Sequence, residues 1–281
     1  MSRGRQVCDS RKISLPKHNT LQPDISNQDR HFKTPYEVRL ACRENRLNGV
    51  ASHALPGYLC VNVIILDRDY AEEFADFCNA NPKPCPIIQR FEPGQTGCDK
   101  YAKDLDIRTD LGSYDVVRKG EIEQHKDIVN LFNDRMVTFL IGSSTSFEGL
   151  LPMKGFKPRF TGTVQQTSVD CKPVGQYHGK MAVTVRAFYP DMTDKVWEYT
   201  SHLPLVHGAP VGKNNWEELG IDKDIDWWGK RISIPEGTDR LYWGCGVTPL
   251  QVALEARLPC MISYTPRHAM ITDVLTESLY T

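Results

Sequence analysis

The chain has 281 residues, 40% hydrophobic and 25% charged, with a formal net charge of −1. That is enough chain for one large domain or two modest ones, and the near-neutral balance offers no basic face for nucleic acid. No apolar run reaches the roughly 20 residues of a membrane-spanning helix, and no signal-peptide core follows Met1.

Residues 1–33 are polar and lack periodic apolar positions, so they read as a tail. Order is predicted from Thr34, where Thr34, Pro35 and Glu37 supply a cap, a first-turn proline and a capping-box partner. Val38, Ala41 and Cys42 fall on one face of this helix, and Asn48-Gly49 would stop it. Arg39, Arg43 and Arg46 share another face, either a solvated stripe or a carboxylate clamp.

LCVNVIIL (59–66) reads as a buried strand. A helix follows, capped by Asp69 with Glu72 as partner, and Ile87-Ile88 begins another strand. Strand, helix, strand in this order predicts a βαβ unit on a mostly parallel sheet. DIRTDL (106–111) packs charges between apolar neighbours, as paired charges near a cleft or a surface turn would. Tyr114 to Arg118 reads as a strand and Ile122 to Phe132 as a helix.

The stretch VTFLIGSSTSFEGLL (137–151) is the centre of the reading. An apolar strand breaks at Gly142 and gives way to Ser143, Ser144, Thr145 and Ser146, with Thr145 and Glu148 at capping-box spacing. A strand passing through glycine into a helix start aims N–H groups and a dipole end at one point, where a carboxylate would sit. An ordinary capped turn reads the same way locally.

Beyond Leu151 the texture turns to alternating runs, Met181 to Phe188 and Trp197 to Leu203, predicting antiparallel strands. Residues 207–240 are loop-rich. Leu241 to Cys245 is a strand again, and Gly246 and Thr248-Pro249 open a second glycine-bounded helix, after which Met261 to Ser263 is the last strand. The fold class expected is therefore mixed α/β (α+β), a mostly parallel sheet with flanking helices plus a more antiparallel subdomain. The main subdomain would span 34–151 and 237–281, and the second 152–236.

A ligand with two carboxylates would suit the two helix starts together with Arg108 or Arg186. GxGxxG, GxxxxGK[ST], HExxH and GxSxG are all absent, as is any CxxC pair. His207 precedes a rigid Gly-Ala-Pro turn that could present its imidazole to a cleft. Cys245, between two glycines, is either a nucleophile or a small residue at a tight turn. The nine scattered cysteines read as reduced thiols of an intracellular protein, cytoplasmic or in the mitochondrial matrix.

ACR (41–43), PGY (56–58) with Asn62, NPKPCP (81–86), DIRTDL, FLIGSSTSFE, HGAPV, GCGVTP and MITD (270–273) together resemble the D-glutamate cyclase-like family, whose bacterial members are named putative hydro-lyases. The resemblance spans about Pro35 to Asp273. Where the family typically reads GCSFSFE this chain reads GSSTSFE, and Cys60 stands where Gln is usual. The resemblance implies conversion of D-glutamate to 5-oxo-D-proline with loss of water; the alternative is an altered, non-catalytic member binding a small carboxylate or a protein. The implied chemistry needs a base, an oxyanion site and an acid. Ser143, Ser144 and Ser146 are candidates for the oxyanion, and Arg108 and Arg186 for holding carboxylates. Glu148, Asp110 and His207 are candidates for proton transfer, and Cys245 and Thr248 for lining the site. No cofactor is evident, with a divalent metal left open, as is a homo-oligomer; the partner expected is a small carboxylate-bearing substrate.

Overall fold

The computed structural model describes residues 32–47, 54–118 and 120–281. Asn48-Gly49, His53 and nearly all of the polar tail lie outside the described residues.

α1 (Pro35–Arg43) starts as its sequence predicts, with Thr34 as N-cap accepting from the Glu37 N–H and Pro35 in the first turn. It ends at Glu44, and its buried face carries Val38, Ala41 and Cys42. β1 (Tyr58–Asp67) follows, then α2 (Arg68–Ala80) and β2 (Ile87–Arg90). Asp67, rather than Asp69, caps α2, because its carboxylate accepts from the Asp69 N–H two residues on.

β3 (Tyr114–Arg118), β4 (Glu121–His125), β5 (Met136–Gly142), β10 (Cys260–Tyr264) and β11 (Met270–Leu275) complete the first sheet. Its order is β2-β5-β1-β10-β3-β4, with β11 also paired to β1, and every pairing is antiparallel. The expected mostly parallel sheet is thus corrected. β1 and β2 do run the same way, being each antiparallel to β5, but β5 is inserted between them. The run that looked like a parallel strand reflects burial on both faces, positions 59–66 of β1 all being buried. Direction leaves no mark on such a run.

Two further expectations fail for local reasons. Ile122 lies in β4, not a helix, because Gly120 at φ 84° closes a tight hairpin that pairs Arg118 with Glu121. Trp197 lies in α4 (Pro190–Ser201), not a strand: Pro190 sits in the first turn and Thr193, Val196 and Thr200 bury one face at helical spacing.

The second sheet is antiparallel as expected, in the order β6-β7-β9-β8, from β6 (Phe160–Asp170), β7 (Lys180–Phe188), β8 (Gly212–Lys213) and β9 (Asp239–Gly244). β9, assigned in the sequence reading to the main subdomain, pairs with β7 and β8 of this sheet. Two helices follow strands that end in glycine: α3 (Thr145–Met153) after β5 and α5 (Val247–Glu255) after β9. Phe147 of α3 packs on Trp243 of β9 with ring centroids 6.1 Å apart, so the two sheets meet beside the helix starts.

Candidate functional site

The strand–glycine–helix junctions come from different sheets, yet they adjoin. A Cβ at Gly246 would lie 3.5 Å from the Gly142 carbonyl oxygen. Each helix is pinned by one hydroxyl. The Ser146 hydroxyl accepts from the Cys60 N–H at 2.9 Å and donates to the Cys60 carbonyl at 3.4 Å. The Thr248 hydroxyl does the same with Ala182, at 2.9 and 3.4 Å. Both hydroxyls therefore hold helices to strands.

The predicted capping box at Thr145 does not form. Ser144 is the N-cap, in helical conformation and with no side-chain cap bond. Ser143 instead engages the Thr145 hydroxyl at 2.9 Å, and the Ser144 hydroxyl donates to Thr184 at 3.5 Å. Glu148, freed from capping, turns to Arg186.

Arg186 is the centre of the arrangement. It stands on β7, 0% exposed, with its guanidinium over the Trp243 ring at 5.5 Å. Its Nη2 donates to the Ser144 carbonyl at 2.8 Å and to Glu148 Oε1 at 3.3 Å. Its Nε and Nη1 have no hydrogen-bond partner among the described residues. Burial pulls its pKa down, with Glu148 opposing, but a guanidinium stays protonated. β6 crosses this pair at an irregularity in its pairing between Phe160 and Thr163. Gly162 sits there because a Cβ would come within 2.8 Å of Glu148 Oε1.

His207 ends a 3-10 turn, Pro204–Val206, that lies against Gly142. It holds a left-handed φ of 82°, set by the packing around it. Its Nδ1 is 2.8 Å from the Lys83 carbonyl. A carbonyl only accepts, so Nδ1 carries the proton and Nε2 keeps a lone pair that meets no hydrogen-bond donor among the described residues. Burial, with the Arg186 charge as a further cause, lowers its pKa to about 4, against backbone contacts to Lys83 and Gly142. The imidazole is neutral at physiological pH.

The two nearby thiols are held protonated. Burial pushes Cys60 up to about 12, although the Thr145 hydroxyl pulls the other way. Cys245 is raised by burial, with Thr184 opposing.

Arg108 and Asp110 belong to a different group. Arg108 folds back onto Asp106 through two bonds of 2.9 and 2.8 Å. Asp110 is gripped by Arg43 at 2.5 and 2.8 Å and faces Arg39 at 3.8 Å. Arg39 in turn pairs with Asp273 at 2.8 Å. The arginine face of α1 is thus a carboxylate clamp, but on the protein's own carboxylates. Hence the structure brings together Ser143, Ser144, Glu148, Arg186, His207 and Cys245, and gives Ser146 and Thr248 to helix anchoring. Among the described residues no three His, Cys, Asp or Glu side chains group as metal ligands.

Sequence reasoning missed Thr184, Lys83, Gly162 and Trp243. Only Asn62 left a signal, as the one polar residue within LCVNVIIL.

Comparison with known proteins gives a consistent result. The sequence model described as D-glutamate cyclase matches residues 137–273, which hold both helix starts and Arg186. A protein of Staphylococcus carnosus named "putative hydro-lyase" is 37% identical over 253 residues, covering 87% of this chain and 96% of its own. A Bacillus subtilis protein of the same name is 37% identical over 252 residues, covering 87% and 98%. One from Oceanobacillus iheyensis is 38% identical, covering 86% and 99%.

Proposed function

This chain belongs to the D-glutamate cyclase-like family, and on that premise we propose that it is a lyase that dehydrates an acidic amino acid, D-glutamate, to the cyclic 5-oxoproline. The observation that carries the reading is Arg186, fully buried beside the start of α3, with the N–H groups of Nε and Nη1 unpartnered among the described residues. A buried cation with open donors is matched by a carboxylate, which can accept from Nη1 or from Nε.

In the reaction the substrate α-amine attacks the side-chain carboxyl carbon. A C–N bond forms, a C–O bond breaks, and the two protons leaving the ammonium depart with that oxygen as water. His207 Nε2 accepts the first proton, being neutral and unpartnered. The oxyanion of the tetrahedral intermediate lies against Arg186 and the Ser143–Ser144 segment at the α3 start, where charge is met by fixed dipoles. Glu148, bonded to Arg186, takes the second proton from the attacking nitrogen and passes it to the departing oxygen, which receives the first from His207 and leaves as water.

The test is incubation of the purified full chain with D-glutamate and, separately, L-glutamate, following 5-oxoproline by proton NMR. Product from D-glutamate is expected. No product from either acid, with no thermal stabilisation by either, overturns the proposal.

A further inference from the structure

We propose that Asn62 is a specificity-determining residue, holding the α-amino-carboxylate end of the substrate whose distal carboxylate lies at Arg186; this rests on the reading of that arginine as a carboxylate site. Asn62 stands in the middle of β1, 4% exposed, among apolar neighbours. Its carboxamide makes no hydrogen bond to any described residue. A carboxamide without a partner adds no hydrogen bond to the fold, so the strand interior does not carry it for stability.

The amide has a definite aim. A Cβ on Gly246 would fall 1.9 Å from Asn62 Nδ2, so the carboxamide lies across the N-cap of the nine-residue α5. The same Cβ would stand 3.5 Å from the Gly142 oxygen, where β5 passes into Ser143 and α3. Asn62 itself is paired with Ile141, one residue before that glycine. The two unpartnered polar groups, Asn62 and Arg186, therefore border the same pair of junctions, with Ser143, Ser144 and Cys245 between them.

Their chemistry differs in a way that reads a substrate. A guanidinium offers only donors and suits an anion. A carboxamide offers two N–H donors and one acceptor, which complement a carboxylate and an ammonium at once. One pole takes an anion alone and the other a zwitterionic end, which describes an amino-dicarboxylic acid. A ligand lacking the amino-acid end would meet only the first pole.

The test compares binding of D-glutamate and of butyrate by calorimetry, in wild type, Asn62→Asp and Gly246→Ala. Asn62→Asp keeps the side-chain shape and repels an α-carboxylate. Gly246→Ala leaves Asn62 in place but displaces its amide. Both are expected to weaken D-glutamate roughly 10- to 100-fold, the worth of one bond to a charged group, and to leave butyrate within about twofold. Equal loss of both acids, no loss of either, or wild-type butyrate binding as tight as D-glutamate overturns the role of Asn62 alone. A wild type that binds neither acid overturns the carboxylate reading of Arg186 and the inference with it.

Discussion

Replacing Arg186 with methionine separates a binding role from a structural one. The substitution keeps the length of the side chain and its contact with Trp243, and removes the guanidinium. Two unpartnered donors, Nε and Nη1, leave with it, relieving roughly 2–6 kcal/mol at 1–3 each. The bonds to the Ser144 carbonyl and Glu148 are lost, at roughly 1 and 1.5–3 kcal/mol. Glu148 is 18% exposed and stays open to water when Arg186 is removed. These terms nearly cancel, placing Arg186→Met within about 2 kcal/mol of wild type in urea unfolding. Arg39 is the control, equally buried but bonded to Asp273, Ile271 and Lys103 and facing Asp110. Arg39→Met loses the two bonds to Asp273 and those to the Ile271 and Lys103 carbonyls, and is expected to cost about 3–5 kcal/mol. D-glutamate should stabilise wild type and have no effect on Arg186→Met. An Arg186→Met protein as destabilised as Arg39→Met, or one still stabilised by D-glutamate, refutes the argument.

Two more outcomes follow from the site's surroundings. Thr248→Val should lower stability by about 1–3 kcal/mol, by orphaning the Ala182 N–H, yet leave D-glutamate affinity unchanged in calorimetry, since that hydroxyl serves Ala182. Because burial keeps Cys60 and Cys245 as thiols, iodoacetamide at pH 8 should label the partly exposed Cys98 and Cys260 and spare both. Peptide mass mapping that finds Cys60 or Cys245 modified in folded protein would contradict this.

The sequence made the two helix starts legible because glycine, hydroxyl and proline act locally, through backbone freedom and capping. It made Arg186 a candidate but hid its status, since a lone arginine in an alternating strand looks like any exposed one; only the packing of β6, Trp243 and α3 around it creates the buried charge. Arg108 misled for the opposite reason. Its charge density was real, but Asp106 stands two residues away and satisfies it, and the partners of Asp110 are 67 and 71 residues distant in α1. Strand direction in the first sheet was illegible, because burial on both faces erases the alternation that would have marked antiparallel pairing.

His207 ties the electrostatics to the chemistry. Its folded pKa of about 4 lies below the ordinary 6.5, so between these values the unfolded chain binds more protons than the folded one. Stability from this residue is therefore complete above about pH 6.5 and is lost as pH falls toward 4, to the extent of about 3 kcal/mol. His207→Asn keeps a donor for the Lys83 carbonyl and tolerates the left-handed backbone, so it should flatten that slope with little change at pH 8. A carboxylate bound at Arg186 offsets the charge that helps hold the imidazole neutral, and raises its affinity for a proton when substrate is present. The acidic limb of kcat should then lie at higher pH than that of kcat/KM, the first reporting the complex and the second the free protein. Coincident limbs, or a limb unmoved in His207→Asn, would show that the proton goes elsewhere.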